Sequence, residues 1–285
     1  MKAVLTIAGS DSSGGAGIQA DLKTIAAHHL FGESVITALT AQNTLGVTGV
    51  LEVDPVFVGT QIDAVFDDIR PDAVKIGMVS SPAIVGVIAD GLDRHKAANV
   101  VVDPVMVATS GSALIADAAV DALVRQLFPR STVITPNIPE AEVLSGMAIA
   151  SLEDVETAAS LIADRCIAVW ENEPAFADAA PSVPAILIKG GHGVGEPDAA
   201  DDYLRMASGE SVWLRGKRIT NDNTHGTGCS LSSAIACGLA RGFAVDVAVR
   251  DAKAYVAGAL AAGLNLGRGS GPLDHMWQYG APMPC

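Results

Sequence analysis

The chain has 285 residues, 49% of them apolar but only 4% aromatic, with abundant alanine and glycine; it is long enough to bury a sizeable core and suits helix-on-sheet layers over an aromatic-rich β-sandwich. A net charge of −14 with no Lys/Arg cluster excludes a nucleic-acid partner, so an anionic substrate has to be met by local N–H groups and a few cations. The four cysteines, at 166, 229, 237 and 285, have neither CxxC nor metal-finger spacing, and no stretch reaches the roughly 20 apolar residues of a membrane span, so neither a disulfide framework, a structural zinc nor a membrane is expected and the chain suits the cytoplasm.

Ala3–Ala8 is a short apolar run suited to a buried parallel strand, broken by the glycine-rich Gly9–Gly17. The helix that follows carries Ile18, Leu22, Ile25 and Ala26 on one face and Asp21 in its first turn. Strand, glycine-rich turn and helix form a nucleotide-binding opening, but the glycines lack the dinucleotide spacing and no acid ends a second strand about twenty positions on, which argues against an NAD site. Ser34–Thr40 is β-rich and leads into Ala41–Val47. There the Gln42 amide can donate and accept on a heteroaromatic edge while Asp21 accepts from a ring amino group, so that together they read an aminopyrimidine; Asp21 can equally be a helix-capping acid. Asp54–Ile69 is helical and opens with Asp-Pro, an N-cap and N1 pair. Ala73–Ile76 is the next strand and ends in Gly77-Met78, where Met78 is either core filler or a contact on the ligand side of the sheet.

Pro82–Leu92 reads as a helix and Val100–Val102 as a strand ending in Asp103-Pro104-Val105-Met106-Val107. An acid at the carboxyl end of a buried strand is badly placed for packing and well placed for a metal or phosphate. Thr109-Ser110-Gly111 makes a turn, Ala118–Leu127 is helical, Thr132–Thr135 is a strand, and Pro136–Glu142 opens another helix. Asp103 and Glu140, each just past a strand end, can hold Mg²⁺ through water, although Glu140 and Glu142 also suit the positive first turn of a helix. Leu152–Arg165 is helical, and the acidic, proline-containing Trp170–Pro184 reads as a surface loop. Ile186–Ile188 resumes as a strand and delivers Lys189, a candidate phosphate ligand, to Gly190-Gly191-His192-Gly193. Tyr203–Met206 and Val212–Leu214 pair as a hairpin, and Val245–Leu266 is a long closing helix.

Function turns on Ile219–Gly238, where a polar stretch runs into a glycine-rich loop that opens a helix. Gly226, Thr227, Gly228 and Cys229 stand at the helix entrance, whose unpaired N–H groups and positive dipole end can hold an anion, with glycines letting the backbone come close. A thiol there can have its pKa lowered by the dipole and act as a base or nucleophile. Strands and helices alternate along the chain, and every polar motif follows a strand. That pattern predicts one domain over residues 1–285, a doubly wound, mostly parallel α/β sheet flanked by helices, with a single active-site edge.

Ala8–Asp21, Ala38–Thr44, Lys75–Met78, Asp103–Val107, Thr135–Glu142, Lys189–His192 and Asn223–Cys229, in that order, resemble the motifs of the ribokinase-like superfamily. Within it they are most similar to the hydroxymethylpyrimidine/phosphomethylpyrimidine kinases of thiamine biosynthesis. The resemblance implies ATP-dependent phosphorylation of 4-amino-5-hydroxymethyl-2-methylpyrimidine and then of its monophosphate to the diphosphate, with Mg²⁺, in a homodimer. Asp21 and Gln42 would hold the pyrimidine, with Gly9, Ala16, Met78 and Val105 lining its pocket. Asp103, Asn137 and Glu140 would organise Mg²⁺ and phosphate, and Lys189 and Thr227 would contact the phosphates of ATP. Gly226, Gly228 and the N–H of Cys229 would form the anion hole, Cys229 replacing the superfamily's aspartate base. Thr109 stands where the family often has lysine, and the Trp170–Pro184 insertion is longer than usual. Two other readings are a pyridoxal or pyridoxine kinase of the same fold, and a non-catalytic sensor that could dispense with Cys229 and the Asp103/Glu140 pair.

Overall fold

Short runs of aliphatic residues build the strands, and the computed structural model describes residues 1–106, 117–173, 176, 183–191 and 194–280. In chain order the strands are β1 (Ala3–Asp11), β2 (Phe31–Asn43), β3 (Gly46–Glu52), β4 (Ala73–Ile76), β5 (Val100–Val102), β6 (Val133–Ile134), β7 (Ala185–Ile188), β8 (Asp202–Arg205) and β9 (Ser211–Leu214). They form a nine-stranded sheet in the order β3-β2-β1-β4-β5-β6-β7-β8-β9. From β2 across to β7 every pairing is parallel, and β3, β8 and β9 add antiparallel strands at the two edges. The expected mostly parallel, doubly wound sheet is therefore observed, with β1 at the point where the strand order reverses. A crevice opens at such a point above the strands' carboxyl ends.

Side chains alternate across a strand, so each buried strand feeds two cores. Val4, Val101, Val133 and Leu187 face α1 (Gly17–Ala27), α7 (Thr227–Ala240) and α8 (Val245–Ala261). Ile7, Ile76, Val102 and Ile186 face α2 (Pro55–Phe66), α3 (Pro82–His95), α5 (Ile138–Ser145) and α6 (Leu152–Asn172). Full burial of each such side chain is worth about 1.5–3 kcal/mol, which makes the two apolar layers the main driving force.

Helix starts follow local chemistry. The Asp54 carboxylate accepts from the N–H groups of Val56 and Phe57, with Pro55 in the first turn, and Ser81 accepts from Ile84. Asn137/Glu140 and Ser151/Asp154 form reciprocal capping boxes.

Three sequence expectations need correction. β3 was not foreseen, because most of its residues are exposed and lack the in/out alternation of a half-buried strand. The expected helix over Ala118–Leu127 is present, as α4 (Asp117–Ala122) running into a π-helical turn at Leu123–Leu127. α6 continues beyond Arg165 and takes in Trp170, Glu171 and Asn172 of the expected loop; Trp170 packs against Phe176 with the rings tilted by 45° and their centroids 4.3 Å apart. α8 stops at Ala261 and not at Leu266, because Gly263 (φ 63°) and Asn265 (φ 48°) take left-handed conformations. Thr109-Ser110-Gly111, His192 and Gly193 lie outside the described residues, as does most of Trp170–Pro184. Among the described residues no helix is long and apolar enough to cross a membrane.

Candidate active site

The carboxyl ends of β1, β2, β4, β5 and β7 and the start of α7 enclose a cavity of about 1110 Å³. Gly9, Ala16, Gln42, Met78 and Val105 line one end. Asp103, Asn137, Glu140, Lys189, Gly226, Thr227, Gly228 and Cys229 surround the middle, with Asn137 bridged to Lys189 and bonded to Glu140. Thirteen of the fourteen site residues named from the sequence thus meet in one place.

Asp21 does not, and its assignment to the pyrimidine is corrected. Its carboxylate lies on the inner side of α1, fully buried, accepting from Thr6 Oγ1 at 2.6 Å, Lys75 Nζ at 2.8 Å and Ser233 Oγ at 2.8 Å. Lys75 is equally buried, and although burial works against its ammonium, Asp21 outweighs it and holds the pKa above the ordinary lysine value. The pair is a dry strut joining β1, β4, α1 and α7 beneath the cavity floor.

Gly226 is the N-cap of α7 and takes φ +84°, and a Cβ there would sit 2.0 Å from the carbonyl oxygen of Gly15, so only glycine fits. No side chain caps the helix. A Cβ on Gly228 would lie 3.2 Å from Asp103 Oδ2 and 3.3 Å from Lys189 Nζ, so the helix start faces both charged groups. Asp103 is buried, and its Oδ1 accepts from Lys189 Nζ at 2.6 Å and from Thr135 Oγ1 at 2.9 Å. Lys189 Nζ is also 4.0 Å from Glu140 Oε2; burial opposes its charge, but Asp103 and Glu140 prevail and raise its pKa. Burial pushes the Glu140 carboxyl up to about 7, with Lys189 opposing and Asp103 adding.

The thiol of Cys229 behaves otherwise than the sequence suggested. Burial pushes it up to about 11, against the pull of Lys75, so the thiol is mostly protonated at pH 7.

Asp103 and Glu140 suit a divalent ion of the Mg²⁺ type. Glu140 accepts from the N–H groups of Asn137 (2.8 Å) and Met106 (3.4 Å), which fixes its orientation, and Asp103 Oδ2 points toward Gly228 in the cavity. Among the described residues no group of three or more His, Cys, Asp or Glu could form an all-protein cage. Two carboxylates match an ion that keeps its waters and leans on substrate phosphates.

The model of the phosphomethylpyrimidine kinase family matches residues 11–274. The chain belongs to that family. It is 48% identical over 277 residues to the hydroxymethylpyrimidine/phosphomethylpyrimidine kinase of Streptomyces coelicolor, covering 97% of this chain and 95% of that one. The crystal structure of the phosphomethylpyrimidine kinase from Clostridium difficile superposes with a TM-score of 0.74 at 42% identity, covering 90% and 98% of the two chains. An ADP complex of Bacillus subtilis pyridoxal kinase superposes at 0.85 with 32% identity, covering 98% and 99%. The protein is a phosphotransferase with the ribokinase-like fold.

Two parts of this phosphomethylpyrimidine kinase family member escaped the sequence reading. Asp11 accepts from the N–H groups of Ser13 (2.8 Å), Gly15 (3.0 Å) and Ala16 (2.8 Å) and from His225 Nε2 at 2.8 Å. Burial works to raise its pKa, but His225 and Ser13 outweigh it and hold the carboxyl well below the usual range. An aspartate before Ser-Ser-Gly-Gly is a turn signal that could have marked it. The part of the cavity walled by Trp213, Lys217, Val256 and Leu260 carries no motif.

Proposed function

We propose that the chain transfers the γ-phosphoryl group of ATP to 4-amino-5-hydroxymethyl-2-methylpyrimidine, and then a second one to the monophosphate, making the diphosphate for thiamine biosynthesis. The observation that carries this reading is the start of α7 lying against Asp103 and Lys189, midway between a small polar pocket and an apolar wall, within one cavity. The pocket at Gly9, Gln42, Met78 and Val105 takes the pyrimidine, and the wall at Trp213, Val256 and Leu260 takes the nucleotide base. Phosphoryl transfer needs positioning and charge stabilisation more than covalent chemistry. Lys189 and the N–H groups at Gly226–Cys229 meet the charge on the moving group. Asp103 and Glu140 would hold Mg²⁺, which would neutralise phosphate charge. The sulfur of Cys229 takes the hydroxymethyl proton in its thiolate form.

The similar pyridoxal kinase fold does not separate the two substrate classes, but Gln42 supports the aminopyrimidine, because an amide matches the donor and acceptor of an amidine edge. Purified protein with Mg²⁺-ATP and the aminopyrimidine alcohol is expected to yield mono- and then diphosphate by mass. Faster turnover of pyridoxal in a parallel assay overturns the assignment. We also read the molecule as a homodimer, supported by Leu39, Val50 and Leu51 exposed along β2 and β3; sedimentation checks it.

A further inference from the structure

The Gln42 side chain at the pyrimidine end is gripped from two sides. Its Oε1 lies 3.0 Å from Thr40 Oγ1, which itself lies 2.7 Å from the carbonyl oxygen of Ser10. Its Nε2 lies 3.3 Å from His225 Nε2, which itself lies 2.8 Å from Asp11 Oδ2. A hydroxyl has one proton. The Ser10 carbonyl can only accept, so the Thr40 proton goes there, and Thr40 can then only accept from Gln42. The Asp11 carboxylate, held by three backbone N–H groups, can also only accept. Nε2 of His225 must therefore carry a proton, which Asp11 takes, and a protonated ring nitrogen has no lone pair to accept from a Gln42 N–H. Both neighbours demand the same turn of the amide, nitrogen to Thr40 and oxygen to His225. That is the half-turn that exchanges its two nearly isosteric ends.

We propose that Thr40 and the Asp11–His225 pair are positioning residues that lock the Gln42 amide in this one turn, and that the lock makes the enzyme select 4-aminopyrimidines over 4-oxopyrimidines. The proposal rests on the aminopyrimidine reading of the site. With one N–H committed to Thr40 and its oxygen turned toward the protonated Nε2 of His225, Gln42 keeps one N–H for a ring nitrogen and a lone pair for the exocyclic amine. A 4-oxo ring carries an acceptor where the amine stood and an N–H where the bare nitrogen stood. A locked amide then meets donor with donor and acceptor with acceptor, which is how an unpaired polar contact rejects a ligand of the same shape. A free amide turns over and accepts either ring, so discrimination belongs to the lock and not to Gln42 alone.

The test compares kcat and KM for the 4-amino alcohol and its 4-oxo analogue in wild type, Thr40→Val, Thr40→Ser and His225→Asn. Thr40→Val removes the oxygen with almost no change of shape, so it tests the lock even where His225→Asn fails to fold. Thr40→Val is expected to raise KM for the 4-amino substrate about tenfold, the equivalent of one lost hydrogen bond. It is also expected to cut the amino-to-oxo ratio of kcat/KM about tenfold while leaving KM for ATP unchanged, and Thr40→Ser restores both. An unchanged ratio in Thr40→Val, or an equal loss in Thr40→Ser, overturns the lock. A second measurement needs no turnover: in the free protein, NMR contacts from the Gln42 side-chain N–H protons to the Thr40 methyl are expected, and contacts to the His225 ring in their place overturn the proposal. If wild type fails to phosphorylate the aminopyrimidine, the substrate assignment falls, and the amide measurement still decides the lock.

Discussion

At the scale of single residues, the sulfur of Cys229 sets a clear requirement. With its pKa pushed up to about 11 by burial, only a small thiolate fraction exists at pH 7, and that fraction grows tenfold per pH unit. If thiolate takes the substrate proton, kcat/KM of wild type is expected to keep climbing between pH 7 and 9. Cys229→Ser is expected to be slower by orders of magnitude and flat over that interval. A wild-type profile level above pH 8 leaves Cys229 only its N–H. The charged groups and glycines that follow strands were legible in the sequence, because strand ends in an α/β sheet share one edge. The direction a side chain points was not. Asp21 seemed aimed at a ligand, yet its partners Thr6, Lys75 and Ser233 come from three other elements and meet only in the folded chain.

Elements impose a different kind of limit, most sharply at the start of α7. Gly226 and Gly228 look interchangeable in Gly-Thr-Gly-Cys but are held for different reasons. Alanine at 226 needs a left-handed backbone and a Cβ 2.0 Å from the Gly15 carbonyl oxygen, so Gly226→Ala is expected to lower the thermal midpoint by about 3 °C or more. Alanine at 228 keeps ordinary helical geometry but sets a methyl group 3.2 Å from Asp103 Oδ2 and 3.3 Å from Lys189 Nζ. Gly228→Ala is therefore expected to melt within about 2 °C of wild type while kcat falls at least about tenfold. Differential scanning calorimetry beside steady-state kinetics checks both. Periodicity gave away α1, α2, α3 and the core strands, whose apolar faces repeat. It missed β3, whose outward residues carry no burial pattern, and overran α8, since Leu264 and Leu266 prolong the apolar run past Gly263.

Over the whole molecule, the sheet has a working edge and a passive one. Alternating strands and helices revealed the layers, but the insertion of β1 between β2 and β4 depends on which faces need covering, and no local signal records it. On the passive side, Glu33 near the start of β2 is buried with Oε2 unpartnered, and burial, Asp68 and Asp72 push its carboxyl up to about 7. A carboxyl whose folded pKa is raised favours folding when protonated, and that contribution is lost as pH rises from the unfolded value of 4.5 through about 7. Glu33→Gln is therefore expected to match wild type at pH 5 and to exceed it by on the order of 1–3 kcal/mol at pH 8 in urea titrations, with kcat unchanged. Equal stability at both pH values would remove the strain from Glu33. The dry strut of Lys75 and Asp21 has one more consequence. Amine-acylating reagents reach Lys75 only while α7 is lifted off the sheet, and that same excursion carries Gly226–Cys229 away from Asp103. Tagging of this one lysine and inactivation of the enzyme therefore run on a single clock, giving the fold its own internal gauge of how often the catalytic floor comes apart.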